Sequence, residues 1–513
     1  MPNNLESLLA LILIAALALL SRRLPKRPSQ RKLPPGPRPW PIIGNMNLLG
    51  SSPHRSLHSL SQKYGDLMLI KLGTSIVLVA SSAEMAEQFL KVHDANFATR
   101  PALAAGKYTA YNYSDMTWAP YGPYWRQARK IFSEVLNTKS LEFFKPIRVE
   151  EGRSFLSRLH ALSGKPVVLR EHLSHYTLSN ISRMVLSNKC FSEEEEEDGR
   201  HNSIFKLGEL QAMLDEGFLL NGVINIGDWI PWLSFLDLQG YVKRMKELYK
   251  KLDMFNEFVI NDHEARRAAE NDFFTFKDAV DMLLEMAKNP NLEVKMTRDC
   301  IKGLLQDLLS GGTDTSAASI EWAIHEVLRH PQVAEKVKKE LDMVIGRNRW
   351  VEESDYLQLP YINAIIMETW RLHPLSPLLP PHCAIEDCKV AGYDIPKGTP
   401  VIINTWSIGR NPNLWDKPEE FLPERFLGKD IDMTGSDFSL LPFSSGRRRC
   451  PGYKLGLKLV QTTLANLLHG FDMRLVEGMG PQDICLEELY GLTVHPKESL
   501  EIIMEPKLAP HLY

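Results

Sequence analysis

Between Arg298 and His330 apolar and polar positions alternate with helical spacing for longer than anywhere else in the chain, opened by Thr297 as an N-cap and stopped by Pro331. At 1.5 Å per residue such a helix runs roughly 50 Å, enough to cross a large domain. Its centre is its weakest part. Ser310-Gly311-Gly312-Thr313-Asp314-Thr315-Ser316 places two glycines, each costing about 1 kcal/mol relative to alanine, beside side chains that compete for backbone hydrogen bonds. A long helix that weakens itself at its middle suggests a site. Tyr361 to Leu372 is a further helical stretch, ended by Pro374. Leu67 to Leu72 and Ser75 to Ala80 predict two strands joined by a hairpin at Gly73-Thr74, and Val390 to Ile395 and Val401 to Asn404, separated by Pro396-Lys397-Gly398, predict a second hairpin. Most of the remainder reads as helix, so the predicted class is mainly α with small β-sheets. The acid run Glu193 to Asp198 reads as a solvated loop.

The amino terminus has a different pattern. Leu8 to Leu20 is an unbroken apolar run, extendable to Leu5 across Glu6 and Ser7, with no basic residue before it and Arg22, Arg23, Lys26, Arg27, Arg31 and Lys32 after it. The run is short for a spanning helix, but charge on its carboxyl side opposes a cleaved signal and keeps that side cytoplasmic. Prolines 34, 35, 37, 39 and 41 then forbid helix and form a stiff spacer. The expected organisation is a transmembrane anchor over 1–21, a basic, proline-rich hinge over 22–41 and one large domain over 42–513.

Composition narrows the classes. The chain has 513 residues, 44% hydrophobic and 24% charged, as expected of a large globular core. Its net charge of −3 opposes a nucleic-acid binder. Six cysteines without CxxC spacing predict neither a disulfide framework nor a zinc site. Cys190, Cys300, Cys383, Cys388 and Cys485 read as small buried hydrophobes. Cys450 does not: it lies in Phe443-Ser-Ser-Gly446-Arg447-Arg448-Arg449-Cys450-Pro451-Gly452, where guanidinium groups are expected to favour the thiolate, the form that ligates metal.

The spacing Phe-x-x-Gly-x-Arg-x-Cys-x-Gly, met by Phe443, Gly446, Arg448, Cys450 and Gly452, resembles the haem-binding loop of the cytochrome P-450 monooxygenases. The resemblance implies haem b, with Cys450 as its iron ligand and the metal's electron density raised by the thiolate. It implies that Gly446 and Gly452 let the backbone turn close to a flat cofactor and that Arg448 pairs with a propionate. Ser-Gly311-Gly312-Thr-Asp314-Thr315-Ser316 resembles the family's oxygen groove. There the glycines widen the helix for dioxygen, and Asp314 and Thr315 relay protons to the oxygen being split. Glu368-Thr-Trp-Arg371 and Pro423-Glu424-Arg425-Phe426 resemble the segments that form a buried structural triad of Glu368, Arg371 and Arg425. Trp125 and Arg129, four apart on a helix, are both donors suited to a carboxylate, and the resemblance assigns them to a propionate, with His382 as a candidate for the other.

Together with Leu-Pro-Pro-Gly-Pro, these motifs resemble the plant microsomal, specialised-metabolism group of the family. The implied protein is a cytochrome P-450 fold behind an N-terminal anchor, single-pass in the endoplasmic reticulum membrane with its catalytic domain cytosolic. It would use O2 and electrons from NADPH–cytochrome P-450 reductase to hydroxylate or rearrange a small lipophilic phenolic or terpenoid metabolite. No flavin or nicotinamide fingerprint is present, so the reductase is expected to dock on a basic face made by Arg447, Arg448, Arg449, Lys454 and Lys458. Substrate contacts are expected from Ala110 to Met116, Met213 to Phe218, Leu304, Leu305, Leu308, Leu375 to Leu379 and Leu492-Thr493. Rival classes are a haem-thiolate isomerase or dehydratase that needs no dioxygen, and a non-catalytic haem-binding membrane protein.

Overall fold

The central helix forms where the pattern places it, over Arg298–Arg329, in a computed structural model that describes residues 31–187, 206–270 and 275–513. Thr297 Oγ1 caps it by accepting the Cys300 N–H at 3.2 Å, and Pro331 starts a new helix, Pro331–Val344. The central helix is buried on nearly every side, with Leu304, Ile320, Trp322 and Ile324 wholly enclosed. Helices Leu169–Leu186, Pro360–Leu372 and Tyr453–Gly470 lie against it. Its buried polar residues, among them Lys302, Glu321 and Glu326, are paired: Lys302 with Asp253, Glu321 with Arg170 and Glu326 with His373. The glycines do not break it: Ser310, Thr313, Thr315 and Ser319 hydroxyls donate to carbonyls four residues back, at 2.5–2.9 Å.

The sheets are small and peripheral. A four-stranded sheet has the order β1-β2-β7-β4, with β1 at Leu67–Leu72, β2 at Ser75–Ala80, β4 at His382–Cys383 and β7 at Pro400–Ile403. Strands β3 (Pro166–Val168), β8 (Phe471–Leu475) and β11 (Glu501–Pro506) make a second sheet in the order β3-β11-β8. Strands β5 (Cys388–Val390) and β6 (Tyr393–Ile395) form one two-stranded ribbon, and β9 (Glu488–Leu489) and β10 (His495–Pro496) another.

The first predicted hairpin is present as drawn, Leu72 facing Ser75 across Gly73-Thr74. The second is not. Val390 to Ile395 is itself a hairpin, turned at Ala391 and Gly392, whose φ angles of 49° and 79° suit a two-residue turn. The apolar run Val401-Ile402-Ile403 leaves it to lie between β2, in parallel, and β4. Val401 and Ile403 are fully buried there, which an edge ribbon could not provide.

The proline-rich stretch is held against the domain: Pro35 O accepts the Leu69 N–H at 2.8 Å, and Lys32 and Asp394 exchange two hydrogen bonds at 2.7 Å. The expected anchor, Cys190 and the Glu193 to Asp198 run lie outside the described residues. Among the described residues, no helix is long and apolar enough to cross a membrane.

Candidate functional site

A cavity of about 330 Å³ lies between the middle of the central helix and the loop that leads into Tyr453–Gly470. Gly311, Gly312, Thr315 and Ser316 form one wall and Phe443, Cys450, Pro451 and Gly452 the opposite one. Among the described residues Cys450 is the cysteine that lines this cavity. The loop is fixed by Cys450 N–H donating to Phe443 O at 2.9 Å, and Phe443 is wedged edge-on against Trp370. A Cβ at Gly452 would lie 4.0 Å from the Cys450 sulfur, an ordinary contact distance.

Gly446 does something else. Its φ of +67° is strained for other residues, and a Cβ would lie 2.2 Å from Leu90 O. It seats the loop closely against Gln88–Val92.

The electrostatics of Cys450 also differ from expectation. Of the three neighbouring arginines, Arg447 pairs with Asp94 at 2.8 Å, and Arg448 turns away to the carbonyls of Ala98 at 2.6 Å and Met116 at 3.0 Å. Burial therefore outweighs the Gly452 N–H and the charges of Arg129 and Arg449, and the free thiol is pushed up. The arginine run does not by itself hold the free thiol low.

At one end of the cavity basic groups converge. Arg100, Arg129, Arg448, Trp125 and His382 all line it. Arg448 is stacked over the Trp125 ring at 4.5 Å and is pushed down to about 8 by burial, then by Arg100. Burial takes Arg100 down to about 10, and burial followed by Arg100 takes His382 down to about 3. Arg129 donates to Arg449 O at 2.6 Å, Trp125 Nε1 to Met116 O at 3.1 Å, and His382 Nδ1 meets Phe97 O at 2.9 Å. Asp115 offsets Arg100 and Arg448 only in part, and none of the three arginines makes an ion pair among the described residues, so the cluster suits a ligand bearing carboxylates.

A model of the Cytochrome P450 family matches residues 34–501. The chain belongs to the cytochrome P450 family. Flavonoid 3'-monooxygenase of Arabidopsis thaliana is 42% identical, over 99% of this chain and 98% of its own. Trimethyltridecatetraene synthase of Zea mays is 41% identical, over 99% and 95%. A zebra fish cytochrome P450 solved with progesterone superposes with a TM-score of 0.74 at 27% identity, covering 88% of this chain and 99% of that one. The protein is thus a monooxygenase of the P450 fold, mainly helical with small sheets, and its cofactor is haem b held by a cysteine thiolate.

The residues present fit that cofactor. Cys450 lines the cavity, where its sulfur would hold the iron, and Arg100, Arg129 and Arg448, which make no ion pair among the described residues, would bind the two propionates. When bound, P450 haem supplies the redox chemistry that activates dioxygen. Arg100 was not foreseen; its signal was weak, a lone cation in Phe97-Ala98-Thr99-Arg100-Pro101 with no acid within five residues.

The acid and alcohol of the groove part company. Thr315 lines the cavity and donates to Gly311 O at 2.8 Å, whereas Asp314 points away and meets His495 Nε2 at 3.0 Å. The glycines divide too: a Cβ on Gly311 would meet nothing within 4 Å, but one on Gly312 would lie 2.5 Å from Ile181 Cδ1. Gly311 keeps the groove open and Gly312 lets the helix Leu169–Leu186 approach.

Glu368, Arg371 and Arg425 form a buried cluster, with Arg425 Nε 3.0 Å from Glu368 Oε1. Of the expected substrate stretches, Met116, Phe218, Leu308, Leu375, Ser376, Leu379, Leu492 and Thr493 reach the cavity. Leu304 and Leu305 do not; both are wholly buried in the core. The expected basic face is reduced as well, because Arg448 is buried, Lys458 is paired with Glu353 at 2.6 Å and Arg447 with Asp94 at 2.8 Å, although Arg447 and Lys454 remain exposed.

Proposed function

We propose that this P450 hydroxylates a small lipophilic plant metabolite of flavonoid or terpenoid type, using NADPH electrons passed on by a reductase. The cavity carries this reading: its walls of Phe132, Val135, Leu136, Ile181, Leu308, Leu375 and Leu492 take an apolar body, while Thr117, Asp307, Ser310, Ser376 and Thr493 offer polar groups to orient it. Relatives named for flavonoid hydroxylation and for terpenoid products support the two substrate classes.

Within this reading Cys450 holds the iron, and Trp125, Arg129, Arg448 and His382, with Arg100, bind the propionates. Thr315 presents its hydroxyl to the cavity and Asp314 moves protons to it from the solvent side. Gly446 and Phe443 hold the loop in place, and Glu368, Arg371 and Arg425 brace it from behind.

The protein is read as a single-pass resident of the endoplasmic reticulum membrane, anchored by 1–21 with its catalytic domain cytosolic. Exposed apolar side chains support a membrane-facing side: Trp40 and Ile43 on one flank of the β1–β2 turn, Trp232, Phe235, Leu236 and Leu238 near the other. That turn ties them together, Gly73 N–H donating to Ile43 O at 3.1 Å and Thr74 N–H to Trp229 O at 2.9 Å. The reductase is expected over Arg447 and Lys454.

Microsomes carrying the full chain and reductase, given NADPH with a flavanone or with an acyclic terpenoid alcohol, should yield a product heavier by one oxygen or cleaved at a carbon–carbon bond. In the carbon-monoxide difference spectrum the wild type should show the red-shifted Soret band of thiolate ligation, and Cys450→Ala should lose it. Product formation without NADPH would defeat the monooxygenase reading for this substrate set.

A further inference from the structure

Among the described residues His495 is the hydrogen-bond partner of the Asp314 carboxylate, Nε2 to Oδ2 at 3.0 Å, with side chains 20% and 11% exposed. It opens β10 and is held from both sides. Val494 donates its N–H to Leu375 O and accepts from Trp322 Nε1, and Pro496 O accepts from Arg170 Nη2. The charged groups around the imidazole are Asp314 and Glu321 on the central helix, Arg170 on Leu169–Leu186 and Asp215 on Leu207–Gly222. Arg170 Nε spans both oxygens of Glu321 at 3.0 and 2.9 Å. Glu321 is thereby answered, and Asp314 is left as the carboxylate that faces His495. Burial alone would lower His495, but the Asp314 hydrogen bond and charge outweigh it and hold the imidazole above its ordinary value.

We propose that His495 is both the latch that holds Asp314 away from the cavity and the donor that supplies its proton. The imidazolium breaks its Nε2–H bond as an O–H bond forms on Asp314 Oδ2, which leaves a neutral imidazole and a neutral carboxyl. A hydrogen bond between charged partners is roughly twice as strong as a neutral one, so the transfer loosens the latch it passes through. Asp314 then turns toward Thr315, its neighbour on the cavity wall, and the imidazole regains its proton from solvent, which reaches a fifth of its side chain. The histidine matters for this: an arginine at 495 would hold the carboxylate and keep its proton, and a glutamine would hold it through an amide with no proton to give. This inference rests on the relay reading of Asp314 and Thr315.

The test compares wild type, His495→Gln, His495→Arg and Asp314→Asn as full-length, haem-loaded protein with reductase. Product and hydrogen peroxide per NADPH are measured across pH with a flavanone and an acyclic terpenoid alcohol as probes. A second measurement, thermal unfolding across pH without substrate, reads the pair independently of turnover. The expected result is product per NADPH lower by about fivefold or more in both His495 variants, with a flattened pH profile and peroxide making up the difference. In unfolding, the wild type should carry stabilisation below pH 6.5, the ordinary histidine value, that is lost as pH rises through the raised value of the folded protein. His263 and His330 are raised as well and add to the same limb, so His495→Gln and Asp314→Asn should each shrink it rather than remove it. Wild-type coupling in His495→Gln beside uncoupling in Asp314→Asn overturns the proposal and leaves the relay standing. Unchanged coupling in Asp314→Asn overturns the relay itself. If the unfolding limb keeps its wild-type size in either variant, or shrinks while coupling and its pH profile stay at wild type, the role assigned to His495 is wrong.

Discussion

Glu368 and Arg371 face each other as a two-pronged pair, Nε to Oε2 at 2.6 Å and Nη2 to Oε1 at 2.8 Å, with neither side chain exposed to solvent. Every remaining polar edge is answered. Arg371 also donates to the carbonyls of Gly409, Pro418 and Glu420, and Glu368 accepts from Leu422 N–H and Arg425 Nε. One helix is thereby tied to a loop about 50 residues away, and a charge stranded by removing either partner has no water to turn to.

Removing half of this pair should therefore cost far more than a surface salt bridge does. Glu368→Gln and Arg371→Leu are each expected to lower stability by about 3–5 kcal/mol, the range for breaking a buried pair. Urea unfolding and haem content per polypeptide measure this. A loss under 1 kcal/mol would mean the triad braces nothing.

Acid should attack the protein at a second buried acid. Glu326 lies 2.6 Å from His373 Nε2 and 3.3 Å from His330 Nδ1, and His373 is stacked on Trp322 at 4.0 Å. Burial pushes Glu326 up, but hydrogen bonds and charge from the two histidines prevail and hold it at about 2. A depressed carboxylate stabilises the fold above its ordinary value of 4.5, and that stability drains away as pH falls from there toward 2. Glu326→Gln should lower stability at neutral pH and flatten the acid limb of a Tm-against-pH curve. An acid limb as steep as that of the wild type would show that the ionised carboxylate is not its source.

The two adjacent glycines should respond oppositely. Gly311→Ala meets open space and gains helix propensity of up to about 1 kcal/mol, so it should fold at least as well while narrowing the groove and weakening substrate-induced spectral shifts. Gly312→Ala drives a methyl to within 2.5 Å of Ile181 Cδ1 and should destabilise by about 1–3 kcal/mol, the usual cost of overpacking. Ile181→Val should recover part of that loss. If Gly312→Ala is as stable as wild type without the second change, the close approach is not a constraint.

What the sequence made legible is what short spacing encodes. The Cys450 loop, the Thr297 cap, the β1–β2 turn and the Glu368–Arg371 pair each depend on residues within about ten positions, and each has the predicted local form. Contacts made by distant chain were out of reach. His495 finds Asp314 across 181 residues, and Arg100 reaches the basic end of the cavity from a loop with no pattern of its own. The apolar run at Val401 announced a strand but not its neighbour, and a local reading gave it the wrong one. The arginine run misled for a related reason: charge density along the chain does not reveal that Arg448 turns inward to carbonyls while Arg447 is taken by Asp94.

Thr315 offers the sharpest separation of chemistry from structure. Its hydroxyl donates to Gly311 O, so the oxygen's lone pairs still face the cavity and can accept and pass on a proton, whereas alanine has neither. The fold should not object, because alanine is the better helix former and the lost back-bond leaves the Gly311 carbonyl its place in the helix ladder. Thr315→Ala should accordingly keep wild-type Tm and haem content and consume NADPH within about twofold of the wild-type rate. Product per NADPH should fall on the order of tenfold, with hydrogen peroxide rising to match, because electrons continue to arrive while protons do not. Thr315→Ser restores the hydroxyl and should restore most of the coupling; Thr315→Val keeps the shape without it and should behave like alanine. A valine variant coupled as well as wild type would show that Thr315 acts by filling space, and the proton path would have to be sought elsewhere in the cavity.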